Sequence, residues 1–445
     1  MEYFAGRCLS CLIRIVVLIS GLGMITSDAI AQEAAPLSER FLLGVATHQG
    51  LGGATGDRGY VPSINIQQIK DLDLNAYRDD FSWSDFEIPG KQSIFPESLQ
   101  RLEWQLAAGV GRPLLILGQG HPLVPNSYPP TTDEARRRFV AYAMAAAQAV
   151  STKHPLFELW NEWNIAARQN SDFNADNYLV LAKATYVAVK QILPEAPFII
   201  GAIGDDPGWR WTNSLFDKGL LKYADGISIH LYNHCAPVRK RTATEVIERL
   251  ITLHQMVDRA SNHPNFPVYL TETGWPTVST KCGVSEQAAA DNFAQLVLWA
   301  STATDWLKGV WFYELKDSGI NPAELEDNFG IHHFDNSPKP SFCAIKDAWA
   351  FIRSSVSSKV AKAPENVTMI QGYSNTAQQV AVWSDDAAKS IEVRIKGDAR
   401  SGQFRYPCDA VAKTAGEGWL KVSSRPLLLE LDRSASLEIE FRSAD

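Results

Sequence analysis

Along most of the chain, short apolar runs alternate with amphipathic segments, a pattern that predicts strands followed by helices. The runs are FLLGVAT from Phe41, LNAYRDDF from Leu74, RPLLILG from Arg112, LFELWNE from Leu156, PFIIGAI from Pro197, GISIHLY from Gly226, PVYLTETG from Pro267 and GVWFYEL from Gly309. Between them, EARRRFVAYAMAAAQAV from Glu134 and YLVLAKATYVAVKQIL from Tyr178 repeat apolar residues at the helical period. Strands that are apolar nearly throughout are buried on both faces, which belongs to a parallel sheet covered by helices. Eight β/α units in roughly 310 residues fit a closed (β/α)8 TIM barrel better than an open doubly wound sheet.

After about Ser358 the period changes to two. VTMIQGY, QVAVWSD, SIEVRIK, GQFRYP, WLKVS, LLLELD and SLEIEF are short alternating runs broken by Asp, Ser and Gly, which predicts a small antiparallel β domain resembling a sandwich. The expected organisation is a barrel over residues 37–357 and an accessory β domain over 358–445.

Residues 1–31 read as a signal peptide. Arg7 and Arg14 precede the apolar run IVVLISGLGMI, and Ala29-Ile30-Ala31 forms a small-residue cleavage signature. The apolar run is short for a membrane span, so no stable membrane insertion is expected after cleavage, and the mature chain is expected to be secreted or periplasmic. Export changes how the cysteines read. Beyond Cys8 and Cys11 the chain holds Cys235, Cys282, Cys343 and Cys408, none in C-x-x-C spacing, so disulfides are expected rather than a zinc site. Cys235 and Cys282 fall after the sixth and seventh strands, neighbours in a barrel, and are the expected pair. Cys343 and Cys408 would tie the barrel to the tail domain if they join.

Composition narrows the partners. Hydrophobic residues make up 45% and charged residues 21% of the 445, the proportions of an ordinary globular protein. A net charge of −8 and no Lys/Arg stripe interleaved with aromatics argue against nucleic acid as a partner. No G-x-G-x-x-G follows the first strand, so the main dinucleotide-binding cue is missing and no cofactor or metal is expected. Several of the thirteen Trp fall at strand ends or in loops, among them Trp83, Trp160, Trp163, Trp209, Trp211, Trp275 and Trp311. Such positions suit packing, and they also suit stacking on sugar rings.

In a (β/α)8 barrel the side chains at the C-terminal ends of the strands line the active site. Glu162 ends the fourth run and Glu272 the seventh, each followed by an aromatic-rich loop. A lone buried carboxylate costs several kcal/mol, so two in one kind of setting point to a ligand-facing role. Two carboxylates, one acid and one nucleophile, are what cleavage of a glycosidic bond requires. Strand alternation places Trp160 with Glu162, Leu270 with Glu272, Ser228 with His230 and Tyr232, and Trp311 with Tyr313. Arg78 on the second run has Glu158 as a possible partner, and it is also placed to hold Glu272 ionised.

These residues resemble glycoside hydrolase clan A, whose members are retaining (β/α)8 enzymes. The resemblance rests on Asn161-Glu162 after the fourth strand, Glu272 after the seventh, Arg78 in AYRDDFSW, His230 and Tyr232 in SIHLYNH, and Trp311 in GVWFYEL. FGIHHFDNSPKPSFCAIKDAW from Phe329 is similar to the clan's end segment, so the match runs from about Phe41 to about Phe351. A barrel followed by a small β domain looks most like family 39, and YPPTTDEARRRF from Tyr128 resembles its branch that cleaves bacterial exopolysaccharides. One departure stands out: Trp163 occupies the place where the clan usually has proline.

The resemblance implies Glu162 as general acid/base, with a raised pKa, and Glu272 as nucleophile. It implies substrate contacts from Asn161 to the sugar 2-hydroxyl and from Trp311 beneath the sugar, with Trp163 as an added stacking surface. Tyr232 and Arg78 would hold Glu272, and His230 would join the polar network. The expected activity is hydrolysis of β-linked polysaccharide or oligosaccharide. Transglycosylation through the same intermediate, and a non-hydrolytic carbohydrate-binding or biosynthetic role, are the alternatives.

Overall fold

The computed structural model describes residues 35–50, 58–86, 102, 106, 108–386, 391–397 and 401–443. The expected signal peptide lies outside the described residues, as do parts of the loops after the first and second strands. No helix among the described residues is long and apolar enough to cross a membrane.

Eight parallel strands close into a barrel in sequence order: β1 Leu42–Ala46, β2 Ala76–Asp80, β3 Arg112–Leu117, β4 Leu156–Leu159, β5 Phe198–Ile203, β6 Gly226–His230, β7 Val268–Thr273 and β8 Leu307–Phe312. All eight fall within or beside the apolar runs. The helices between them begin where the sequence supplies an oxygen for an orphan backbone N–H. Thr132 caps Asp133–Ala149, Asn174 caps Ala175–Ile192, Thr242 caps Ala243–Ser261 and Ser285 caps Glu286–Ala300, each side chain accepting from the amide three residues on.

Alternation sorts the strand residues into two apolar layers. Val45, Tyr77, Leu115, Phe157, Ile200, Ile227 and Leu270 face the helices. Ala76, Leu114, Leu156, Ile199, Tyr269 and Trp311 fill the barrel interior. The interior layer is an apolar floor beneath the barrel mouth. Gly44 pairs with Trp311 across β1 and β8, and a Cβ there would run into the indole.

The tail forms two antiparallel sheets. One runs in the order Lys413–Thr414, Gln403–Arg405, Leu427–Asp432, Ala377–Ser384, Val367–Tyr373 and Ser357–Ala361, and the other in the order Leu420–Val422, Ile391–Lys396 and Glu438–Ser443. Val380, Val382, Val393, Ile395, Leu427 and Leu429 pack between them, as the period-two runs require. The first strand, β9 (Ser357–Ala361), is an exposed polar edge whose sequence, SSKVA, shows no apolar alternation. The tail docks on the barrel through Gln295 to the Ser424 carbonyl (2.6 Å), Ser424 to Asp291 (2.7 Å) and Arg405 to Asp347 (2.9 Å). Two disulfides are present. Cys235–Cys282 staples the loops after β6 and β7, and Cys343–Cys408 links the Pro340–Ile352 helix to the tail.

Candidate active site

The C-terminal mouth of the barrel gathers Arg78, Asn161, Glu162, His230, Tyr232 and Glu272, residues from four strand ends. Arg78 is fully buried and acts as a hub. Its Nε donates to Glu158 Oε2 at 2.7 Å, Nη1 to Glu272 Oε1 at 2.6 Å and Nη2 to Asn161 Oδ1 at 2.9 Å. Both partners foreseen for Arg78 are therefore engaged at once. With its carbonyl oxygen held by Arg78, Asn161 keeps its amide N–H groups free to donate to a sugar hydroxyl.

Glu272 receives a second hydrogen bond from the Tyr232 hydroxyl at 2.9 Å. Burial and the neighbouring Glu272 charge hold the Tyr232 phenol well above its ordinary value, so it stays a donor. His230 Nδ1 lies 3.0 Å from Glu162 Oε1 and 3.4 Å from Glu272 Oε2. Its Nε2 faces Arg78 Nη2 at 3.5 Å. The guanidinium can only donate, which leaves Nδ1 as the proton-bearing nitrogen turned toward both glutamates. One oxygen of each glutamate and a ring nitrogen of His230 all lie within 4.8 Å of one another.

The local backbone departs from simple alternation at both glutamates. After β4 the chain turns sharply, with Trp160 at φ 65° and Glu162 at φ 47°, left-handed conformations that cost about 1 kcal/mol or more outside glycine. Trp160 consequently packs with Phe139, Phe173 and Trp163, and it is Glu158 that faces inward. Trp160 and Glu162 do not share a face. On β7 the register to β6 shifts, so that Ile229 pairs with Leu270 but His230 pairs with Glu272. This bulge at Thr271 leaves Leu270 on the helix side and turns Glu272 inward, so these two do not share a face either.

Two expected substrate contacts are corrected. Trp311 is fully buried in the interior layer beneath the site, among Ala76, Leu114 and Tyr269, and presents no face to a ligand. The ring at the mouth on this strand's extension is Tyr313, packed against His48, Tyr232 and Phe329. Trp163 is also buried, boxed by Trp160, Phe173 and Tyr178, with its Nε1 donating to the Asn174 carbonyl at 3.2 Å. Its indole braces the loop that carries Glu162; it adds no stacking surface.

The expected raised pKa of Glu162 is corrected as well. Burial pushes it up, but the His230 hydrogen bond and charge, with Arg78 and Arg168, outweigh burial and hold Glu162 below its ordinary value. Burial lowers His230, and the two glutamates more than reverse this. A proton at this pair is therefore shared between carboxylate and imidazole, and the two titrate together.

A second polar group, missed from the sequence, flanks the mouth on the β1, β2 and β8 side. His48 bridges Asp80 (3.2 Å) and Glu314 (3.5 Å), Ser318 donates to Glu314 at 2.6 Å, and Tyr313 donates to Glu326 at 3.1 Å. Burial drives the Glu314 carboxyl up to about 7, against the opposing pull of His48 and Arg58. The signal was available: Glu314 is a third carboxylate just past a strand end, in GVWFYEL.

No family model matches the chain, and no curated protein matches it. Solved structures do match in fold. A family 39 glycoside hydrolase from Bacteroides cellulosilyticus WH2 is 22% identical with a TM-score of 0.69, covering 89% of this chain and 82% of its own. A monomeric beta-xylosidase from Caulobacter crescentus CB15 is 15% identical with a TM-score of 0.62, covering 91% and 98%. A glucosidase from Croceicoccus marinus is 12% identical with a TM-score of 0.61, covering 90% and 97%.

Proposed function

We propose that this chain is an exported retaining glycoside hydrolase of clan A, most like family 39, that cleaves β-glycosidic bonds in a polysaccharide or oligosaccharide. The observation that carries the proposal is the approach of Glu162 and Glu272, an oxygen of each within 4.8 Å, at the mouth of a closed barrel. This close approach favours double displacement, in which the carboxyls stand ~5–5.5 Å apart, over inversion, which places them ~6.5–9.5 Å apart. The fold shared with a family 39 enzyme, a xylosidase and a glucosidase supports the same reading.

Glu272, charged and held by Arg78 and Tyr232, attacks the anomeric carbon. Glu162 gives its proton to the departing glycosidic oxygen. The negative charge of Glu272 disappears into the glycosyl–enzyme bond, and Glu162 then takes a proton from the water that breaks that bond. His230 Nδ1–H, within reach of both carboxylates, holds the proton inventory of the pair. Arg78 and Tyr232 fix the attacking oxygens, so little reorganisation is left for the reaction itself. A bacterial exopolysaccharide is the proposed substrate, on the resemblance of the Tyr128 segment.

The test is Glu272→Gln with a turned-over substrate, together with NMR detection of the first-formed anomer. Turnover is expected to vanish in the variant while the fold persists. The wild-type enzyme is expected to release the retained anomer first; initial inversion would sink the mechanism.

A further inference from the structure

Beside Glu162 lies a cavity of about 360 Å³ whose walls include Asn164, Arg168, Asp205, Arg210 and Trp211. Its wall residue Asn164 connects it to the acid/base through Gly204. Asn164 follows Glu162 by two residues and accepts the Gly204 amide at 2.9 Å, while a Cβ on Gly204 would stand 2.8 Å from Glu162 Oε1. A general acid protonates the oxygen of the leaving group, so a cavity beside that acid is placed to receive the leaving sugar.

Its charges are unevenly spent. Asp206 caps the Arg210–Asp217 helix, accepting from Trp211 N, Thr212 N and Thr212 Oγ1 at 3.1, 2.9 and 2.8 Å. Asp205 pairs with Arg168 at 3.3 Å. Arg210 is exposed and lines the cavity, and among the described residues its guanidinium has neither an ion-pair nor a hydrogen-bond partner. The half-buried Trp211 lines the same cavity. An aromatic ring beside an unspent planar fork of N–H donors suits a sugar ring that bears a carboxylate.

We infer that this cavity is a leaving-group subsite for an acidic sugar, a uronate whose carboxylate is taken by Arg210 while its ring lies against Trp211. The inference rests on the proposed function, because it takes Glu162 as the group that protonates the leaving sugar. A bound anion here also offsets the pull of Arg168 on Glu162, which favours the protonated acid.

The experiment is calorimetric binding to the full-length Glu272→Gln protein. The probes are cellotetraose, its C6-carboxylated counterpart and its C6-sulfated counterpart. The carboxylated probe is expected to bind about tenfold more tightly than either of the others, with the preference shrinking at high salt. Arg210→Ala is expected to abolish the preference, and Arg210→Lys to keep only part of it, because a lysine has the charge without the fork. Arg210 is exposed, so equal melting temperatures are expected for all three proteins. Equal affinity for the neutral and carboxylated probes, binding of none of them, equal or better binding of the sulfated probe, or a preference that survives Arg210→Ala would each overturn the subsite. The readout is binding, so a wrong nucleophile assignment shows separately, as product formation by the Glu272→Gln protein.

Discussion

Arg78 and Glu272 form a buried ion pair with Nη1 2.6 Å from Oε1, and the same guanidinium holds Glu158 at 2.7 Å. One cation thus serves two carboxylates, one at the mouth of the barrel and one beneath it. Arg78→Met is expected to lower kcat/KM by about 10²–10³-fold, the scale seen when a preorganised charge contact is lost. It is also expected to destabilise the fold by about 3–5 kcal/mol, because Glu158 is left buried without its partner. Adding Glu158→Gln to Arg78→Met should restore much of the melting temperature and none of the activity.

The shared proton of Glu162 and His230 predicts a pH profile. Glu162 is held below its ordinary value, so its contribution to stability is present above the unfolded-state value and lost as pH falls through the folded one. His230 is raised, so its contribution is present below the unfolded-state value and lost as pH rises through the folded one. Melting temperature is therefore expected to peak between the carboxylate and imidazole ranges. His230→Gln should remove the alkaline decline and move the alkaline limb of kcat/KM to lower pH, because Glu162 alone then holds the proton.

Glu314 gives a second pH signature. Its folded-state value of about 7 lies above its ordinary 4.5, so the stability it contributes declines as pH rises between the two. Glu314→Gln should flatten that stretch of the melting curve and make the variant relatively more stable at pH 8 than at pH 5.

Trp311 and Tyr313 are expected to separate packing from binding. Trp311→Ala empties the interior layer and should cost about 3–5 kcal/mol in denaturant unfolding. Tyr313→Phe loses the hydrogen bonds that the hydroxyl makes with Glu326 and Arg58 and should cost only about 1–2 kcal/mol. If Tyr313 lines the sugar site, the same change should raise KM.

The Cys235–Cys282 staple closes a segment 47 residues apart between the loops that follow Tyr232 and Glu272. The double serine variant is expected to lose about 2–4 kcal/mol. It should also raise KM, since both loops border the site. Reductant should narrow the gap in melting temperature between wild type and variant.

The sequence by itself determined the barrel, the small β domain and several of the charged residues that meet at the barrel mouth. Periodicity and capping are local properties, and eight apolar runs between amphipathic segments leave few architectures open. Glu162, Glu272, Arg78 and His230 were legible because charged groups at the ends of apolar strands need a special reason. The directions of side chains were not legible wherever the backbone left its period. A left-handed turn at Trp160–Glu162 and an extra residue at Thr271 each reverse the alternation, and neither is marked by a glycine or a proline. The height of a residue along the barrel was equally hidden: Trp311 and Tyr313 point the same way, but only the closed barrel sets one in the floor and the other at the mouth. The same holds for the proton. Composition placed an acid beside an aromatic loop, and only the 3.0 Å contact with His230 showed that Glu162 sits low and shares its charge. Electrostatics depends on distances across strands far apart in sequence, and folding alone supplies those distances.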